Sequence, residues 1–524
     1  MTCQVRVAQG VLQGKKCTTY NGKEYYSFEG IPYAKPPIGK LRFQNPQDPE
    51  GWSGVRDATK PGNKCAQLNL RDGQIIGSED CLYLNVYTPS LPAEKLEKLP
   101  VLFYVHGGSF LVGYGDWYRP DHYIQHDVIF VTVNYRLHVL GFLSLHLPEA
   151  TGNMAFKDTA KALRWVNQNI ANFNGNANNV TVFGESAGSA IVTSYLVSKM
   201  TDGLFSKIIG QSGSLVSDLL IKDENPVEKA SHLASLLGKN IQDKKELLNF
   251  FIDMPVEDLI NGYFTAEFSK SLYVIEPFLI PVIEKDVGPE SFFDEYPIET
   301  IRKNRHKKVP MIIGISVFEA GLFIRRDAEG NIIYENDFKH FVPKYLNLKY
   351  DSPKSLEVIK RMRDFYFKGQ QVNENLLEKF VVFLSDVYFN RDIILIPELM
   401  RNNQDNVFFY IFSFVGSINV KALKGLGIKG TTHGDIVQYE FYKKNKFDQC
   451  TERDRQLIQF LSEAWCNFAK NGTPTWTNQE VVWEPYRGET RACLEIDDKK
   501  KMITLPMHSR YKFWTDLCGD RSKL

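Results

Sequence analysis

Short, continuously apolar runs rich in β-branched and aromatic residues recur along the chain: Val101 to Val105, Val128 to Val133, Val180 to Phe183, Lys207 to Ile209, Val309 to Ile315 and Val407 to Phe414. Runs without polar alternation fit strands buried on both faces, as in a mostly parallel sheet covered by helices. Stretches of helical period lie between them. In Asp158 to Ala171, for example, Ala160, Leu163, Val166 and Ile170 share one face. Residues 1–90 read differently, as short alternating segments broken by turns such as Ile31-Pro32-Tyr33 and Lys35-Pro36-Pro37-Ile38-Gly39, which predicts an antiparallel sheet edge. Strand–helix alternation predicts a doubly wound α/β architecture with a large, mostly parallel sheet. The stretches at about 225–300 and 335–405 carry more helical pattern and charge and read as helical insertions roofing the sheet. No repeat, low-complexity tract or Gly/Ser- or Pro-rich linker divides the chain, so 1–524 reads as a single domain.

Composition narrows the function classes. Of 524 residues 43% are hydrophobic and 24% charged, enough for a sizeable buried core without staples. Lys+Arg of 63 against Asp+Glu of 62 leaves +1, so no overall field draws the chain to nucleic acid. No apolar stretch approaches the roughly 18 residues of a membrane-spanning helix. The opening Met-Thr-Cys-Gln-Val-Arg-Val has neither a basic nor a continuous apolar region, so no secretory signal is expected. Ser522-Lys523-Leu524 matches a peroxisomal address, and the expected location is intracellular, cytoplasmic or peroxisomal. The eight cysteines form no CxxC and none neighbours a histidine at ligand spacing, so free thiols and no metal site are expected.

The chemistry gathers around Gly184-Glu185-Ser186-Ala187-Gly188. A lone GxSxG is a weak signal, but this one follows the apolar run Val180 to Phe183 and precedes a helical one, Ala190 to Met200. That is the strand–turn–helix context of a nucleophile elbow. A serine hydroxyl needs a base, and the base needs an orienting group. Of ten histidines, His433 stands out. It sits in the turn-rich Gly430-Thr431-Thr432-His433-Gly434-Asp435, after the run ending at Phe414. Glu319 follows the buried run Val309 to Ile315 and supplies one carboxylate in the order Ser, acid, His; by itself it reads as a solvated strand-end group. His106-Gly107-Gly108-Ser109-Phe110 follows Val105 directly and fits a loop whose backbone N–H groups could cradle an oxyanion. Phe110, Phe318 and Phe323 lie near these motifs, where packing and pocket lining are equally good readings.

With these residues the chain resembles the carboxylesterase/cholinesterase family, most closely its insect α-esterase type. The resemblance extends to Tyr26 to Ala34, Glu79-Asp80-Cys81-Leu82-Tyr83-Leu84-Asn85-Val86-Tyr87-Thr88-Pro89, Asn134-Tyr135-Arg136-Leu137, Gly141-Phe142-Leu143-Ser144, Gln211-Ser212-Gly213-Ser214 and Thr475-Trp476. It implies an α/β-hydrolase fold, no cofactor, and hydrolysis of small carboxylic esters through an acyl-serine, with organophosphates as inhibitors. Nucleophile, acid and base then fall on Ser186, Glu319 and His433, and the oxyanion donors on the N–H groups of Gly108, Ser109 and Ala187. The implied role is clearance of lipophilic dietary or xenobiotic esters, insecticides included; the alternatives are slow-turnover sequestration and hormone or pheromone ester hydrolysis. Three departures stand out. Ser109 occupies a position usually Gly or Ala, and Ala320 separates the acid from Gly321. Cys65 and Cys81 match the family's first disulfide loop while nothing matches the second, and both are expected mostly reduced. Ala66 to Asp80, between them, contains no aromatic residue to hold a quaternary ammonium, which argues against a choline-ester specialist. The sequons at Asn179 and Asn471 are expected to be unmodified.

Overall fold

The computed structural model describes residues 3–217, 225–284 and 290–519, so the C-terminal tripeptide lies outside the described residues. Among those residues eleven strands form one sheet. In chain order they are β1 (Lys15–Thr18), β2 (Glu24–Pro32), β3 (Tyr83–Thr88), β4 (Leu99–Val105), β5 (Ile129–Val133), β6 (Gly175–Glu185), β7 (Lys207–Gln211), β8 (Met311–Ser316), β9 (Val407–Phe412), β10 (Ala492–Ile496) and β11 (Lys501–Thr504). Across the sheet they run β11-β10-β9-β8-β7-β6-β4-β5-β3-β2-β1. Pairing is parallel from β10 to β5 and antiparallel at both ends.

The six apolar runs became β4 to β9, and every residue of β4, β5, β7, β8 and β9 is buried. Alternate side chains point to opposite faces, and each face has its own core. Val101, Phe103 and Val105 join one apolar cluster, Leu102 and Tyr104 the other. Two apolar faces explain why the sequence shows no alternation there. The helix Met154–Asn169 packs Leu163 and Val166 into the first core, and Glu452–Asn471 packs Leu461 and Trp465 into the second. The latter starts with a capping box between Thr451 and Asp454 and stops at Gly472, whose φ is 78°. Part of the N-terminal region departs from the expected edge. Gln4–Val7, Gly10–Gln13 and Val55–Asp57 make a separate three-stranded sheet.

The stretch 225–300 contains the helices Pro226–Leu236, Lys244–Asp253, Val256–Phe268 and Pro297–Arg302. The stretch 335–405 contains Pro353–Phe367, Leu377–Ser385 and Arg391–Met400. The first is tied to the body by a buried ion pair, Lys157 Nζ to Glu284 Oε2 at 2.5 Å, with neither side chain exposed. Glu284 Oε1 also accepts from Asn153 Nδ2 at 2.7 Å and from the Phe292 N–H at 2.9 Å. Among the described residues no helix is long and apolar enough to cross a membrane.

Cys65 and Cys81, expected as thiols, are instead joined in a disulfide. Their Cα atoms stand 4.8 Å apart because the short hairpin Gln67–Leu68 with Ile75–Ile76 folds the intervening loop back on itself. Chain-wide cysteine usage cannot report such local proximity. Disulfides persist in oxidising surroundings, so the cysteines no longer argue for a reducing compartment.

Candidate active site

Parallel strands place their carboxyl ends on one edge of the sheet, where sites collect. The loop after β4 carries His106 to Phe110; β6 runs into Ser186, β7 into Ser212 and β8 toward Glu319. His433 starts from β9, three strands or about 14 Å from β6 at the usual spacing. Its long connection returns across the edge and is fastened to the Glu319 segment. The Phe318 N–H donates to the Thr431 carbonyl (2.8 Å), the His433 N–H to the Glu319 carbonyl (3.3 Å), and Thr432 Oγ1 to the same carbonyl (3.2 Å).

These connections bring the three sequence-selected side chains into one row. Ser186 Oγ lies 2.8 Å from His433 Nε2, and His433 Nδ1 lies 2.9 Å from Glu319 Oε2. Glu319 is fully buried, and its other oxygen accepts from Ser212 Oγ and from the Ser316 N–H, each at 2.6 Å. With both oxygens committed, the carboxylate fixes which imidazole nitrogen carries the proton and leaves Nε2 free to accept from Ser186.

Ser186 has φ 57° and ψ −124°, a conformation that L side chains rarely adopt. Contacts around it enforce the turn. Its N–H donates to the Gln211 carbonyl at 2.8 Å, and a Cβ on Gly188 would lie 2.0 Å from the Val105 carbonyl oxygen. Ala187 opens the helix Ala187–Ser194, so its N–H belongs to the first turn and has no intrahelical acceptor. The neighbouring loop is equally tight. The Leu111 and Val112 N–H groups turn back to the Gly108 carbonyl at 2.9 and 3.1 Å. Gly108 has φ 112°, and a Cβ there would meet the Val112 carbonyl oxygen at 2.0 Å. The N–H groups of Gly108 and Ser109 find no backbone acceptor among the described residues. Ser109 itself is left-handed at φ 55°, with its side chain exposed to the site.

Residues beyond the sequence-selected set shape the electrostatics. Glu185 Oε1 stands 3.4 Å from His433 Nε2 and has no hydrogen-bond partner among the described residues. Burial raises the Glu185 carboxyl to about 7, against a smaller downward pull from His433. Burial also pushes His433 down, but Glu185 and Glu319 outweigh it and hold the imidazole above its ordinary value. Glu440, accepting from Gln211 Nε2 at 2.6 Å and Trp465 Nε1 at 2.7 Å, is likewise raised to about 7 by burial. In the sequence Glu185 is merely the variable letter inside GxSxG; Ser212 and Glu440 carry no local signal.

Two spaces meet at Ser186. The smaller, about 80 Å³, has Phe110, Ala190, Ile275, Phe323, Phe389 and Ile393 among its apolar walls, with Glu276, Asp392 and several serines also lining it. The larger, about 1190 Å³, includes His433, Ser109, Tyr114, Trp117, Phe268 and Tyr442 in its walls. Phe323 borders both, with its ring centroid 5.6 Å from that of His433, whereas Phe318 packs away from the site against Val381 and Leu423. The Cys65–Cys81 loop contributes Leu70 and Arg71 to the larger space.

Known proteins resemble nearly the whole length of this chain. The model of the carboxylesterase family matches residues 2–514. Esterase E4 of Myzus persicae is 32% identical over 502 residues, covering 92% of this chain and 89% of its own. Pyrethroid hydrolase Ces2a of Mus musculus is 32% identical over 510 residues, covering 94% and 87%. The crystal structure of juvenile hormone esterase from Manduca sexta, with OTFP covalently attached, superposes at a TM-score of 0.86 with 28% identity and covers 99% of both chains.

Proposed function

Because the chain belongs to the carboxylesterase family, with an α/β-hydrolase fold and the activity of a serine carboxylic ester hydrolase, we propose that Ser186 is its nucleophile, His433 its general base and Glu319 the group that orients the base. The observation that carries this is the unbroken row Ser186 Oγ, His433 Nε2, His433 Nδ1, Glu319 Oε2 at 2.8 and 2.9 Å. The ester carbonyl lies against the N–H groups of Gly108, Ser109 and Ala187. As Ser186 Oγ attacks, its proton passes to His433 Nε2, and the charge gathering on the carbonyl oxygen is met by those donors. His433 then gives the proton to the departing alkoxide, leaving acyl-Ser186. Water, losing a proton to the same nitrogen, attacks the acyl carbon; collapse releases the acid and returns the proton to Ser186.

The preferred substrates in this reading are lipophilic carboxyl esters, and the role is clearance of dietary and xenobiotic esters, insecticides among them. The apolar side chains among the walls of the smaller space support it, as does similarity to a pyrethroid hydrolase. Hormone-ester hydrolysis is the second reading, favoured by the overall match to juvenile hormone esterase. A stoichiometric organophosphate should add one phosphoryl adduct, mapped to the Ser186 peptide and accompanied by complete loss of esterase activity. An adduct elsewhere, or full activity with Ser186 labelled, would refute the assignment. The same preparation separates turnover from sequestration: a catalyst sustains aryl-ester hydrolysis, whereas a sequestering protein gives a one-equivalent burst and then stops.

The pH profile reports on Glu185. His433 must be neutral to act as base, so activity falls as pH drops through its raised pKa, and the acid limb should lie above the ordinary imidazole value. Glu185→Gln removes the carboxylate beside Nε2, lowers that pKa and should move the limb of kcat/KM toward acid. It should also reduce the plateau by roughly tenfold to a hundredfold as the imidazolium loses a partner. A limb unmoved between the two enzymes would exclude this influence of Glu185.

A further inference from the structure

The walls of the larger space carry cations that ester cleavage itself does not require. Three are neutralised nearby: Asp121 holds Arg119 at 3.0 and 2.9 Å, Glu267 pairs with Lys270, and Asp448 pairs with Lys444 at 2.9 Å. Four others, Arg71, Arg325, Lys443 and Lys446, line the same space outside any ion pair among the described residues. Asp116 and Glu185 are the remaining carboxylates on this wall, and burial raises both, Glu185 to about 7. Both therefore give up negative charge more readily than ordinary carboxylates. With a net charge of only +1 over the whole chain, the excess on this wall is a local concentration.

Lys443 and Lys446 carry the argument furthest. Lys443 precedes the short helical turn Lys444–Phe447 that follows the His433 connection, Lys446 lies within it, and both are half-buried. Lys443 Nζ sits 3.9 Å over the Trp117 ring; burial, then the neighbouring Lys446, lowers its ammonium to about 8. The hydrogen-bond acceptors of Lys446 Nζ are neutral, the Ile418 carbonyl at 3.3 Å and Gln438 Oε1; burial lowers it too, against smaller upward pulls from Asp435 and Cys450. Two neighbouring, partly desolvated ammonium groups, neither in an ion pair among the described residues, are unfavourable alone, and the pull of Asp435 on Lys446 is too weak to offset its burial. An anion between them relieves both the desolvation and the repulsion.

Resting on the reading of Ser186 as nucleophile, we propose that the larger space selects esters whose alcohol portion bears an anionic group, carboxylate or phosphate, received by Lys443 and Lys446. Arg71 and Arg325 add to the attraction from the same wall. The division of the substrate follows from size. The acyl group is bonded to Ser186 and the smaller space, about 80 Å³, admits a short one, which leaves the larger space to the alcohol.

The test uses acetyl esters of ω-hydroxy carboxylates of graded length, the matching phosphates, and the primary amides of the same carboxylic acids as neutral partners, so that each member carries a single cleavable ester. The readout is the ratio of kcat/KM, anionic over neutral, which partial unfolding does not change because both members scale alike. In the wild type the ratio should exceed one at the spacer that reaches the lysines. It should fall about threefold to tenfold in Lys443→Gln/Lys446→Gln, and shrink as salt rises from roughly 0.02 to 0.2 M. Lys443→Arg should preserve it. Carboxylate and phosphate series peaking at different spacers would show which anion the site was shaped for. A ratio identical in wild type and double variant at every spacer overturns the proposal while leaving the esterase reading intact. Failure to hydrolyse even the neutral members overturns that reading, and this one with it.

Discussion

Ser186→Ala is expected to lower kcat/KM for a simple aryl ester by roughly 10⁴- to 10⁶-fold, with little change in thermal stability. The substitution removes one oxygen, the one 2.8 Å from His433 Nε2. What remains is the charged and polar apparatus around it. His433 and Glu319 keep their 2.9 Å bond, and the donors of Gly108, Ser109 and Ala187 keep their backbone positions. Such an apparatus still binds ester and polarises its carbonyl, so a residual rate above that in water should survive, but without a covalent step. The burst of alcohol release expected of the wild type in the first turnover should vanish along with steady-state activity. His433→Gln should cost a similar factor, and Ser186→Ala/His433→Gln little more than either alone, since the two act as one unit. Stopped-flow release from an activated ester reads burst and steady state together. Turnover within tenfold of wild type, with a burst intact, would place the nucleophile elsewhere.

What the sequence could and could not reveal follows from how local each signal is. β4 to β9 were legible because a strand buried on both faces must be apolar at every position, and Val101 to Val105 is such a run. Ser186 and the Gly108 loop were legible because tight turns exclude side chains, leaving glycines at fixed spacing, as the 2.0 Å approach at Gly188 illustrates. His433 was picked from ten histidines by its turn-rich surroundings. Glu319 needed the family resemblance: its neighbours in sequence describe an ordinary strand end, while its hydrogen-bond partners, Ser212 and His433, arrive from other strands. Glu185 has no legible role in the sequence, since the motif constrains its neighbours and says nothing of a side chain 3.4 Å from His433 Nε2. The cationic wall is the extreme case. Arg71, Arg325, Lys443 and Lys446 are scattered over most of the chain, and only the fold assembles them.

Glu284→Ala is expected to destabilise the protein by about 3–5 kcal/mol, well above the usual cost of a point substitution. The reason is the partner left behind. Lys157 is fully buried in the helix Met154–Asn169, with Asn45 Oδ1 and Thr151 Oγ1, each at 2.9 Å, as its other acceptors. Burial already pulls its ammonium downward against the upward influence of Glu284, so removing the carboxylate forces the lysine to lose its proton or draw in water. Asn153 Nδ2 and the Phe292 N–H lose an acceptor in the same step. Lys157→Met/Glu284→Leu removes both charges together and should cost less than Glu284→Ala alone, the sign that separates an orphaned charge from a simple cavity. The damage should also reach the site, because residues from the anchored stretch 225–300, Phe268, Leu272 and Ile275, wall the larger space. Urea unfolding followed by fluorescence, with ester hydrolysis assayed at each concentration, measures both. A midpoint shift worth under about 1 kcal/mol at unchanged slope would mean that the lysine finds water or another acceptor at no cost, and that this stretch is held by its apolar contacts instead.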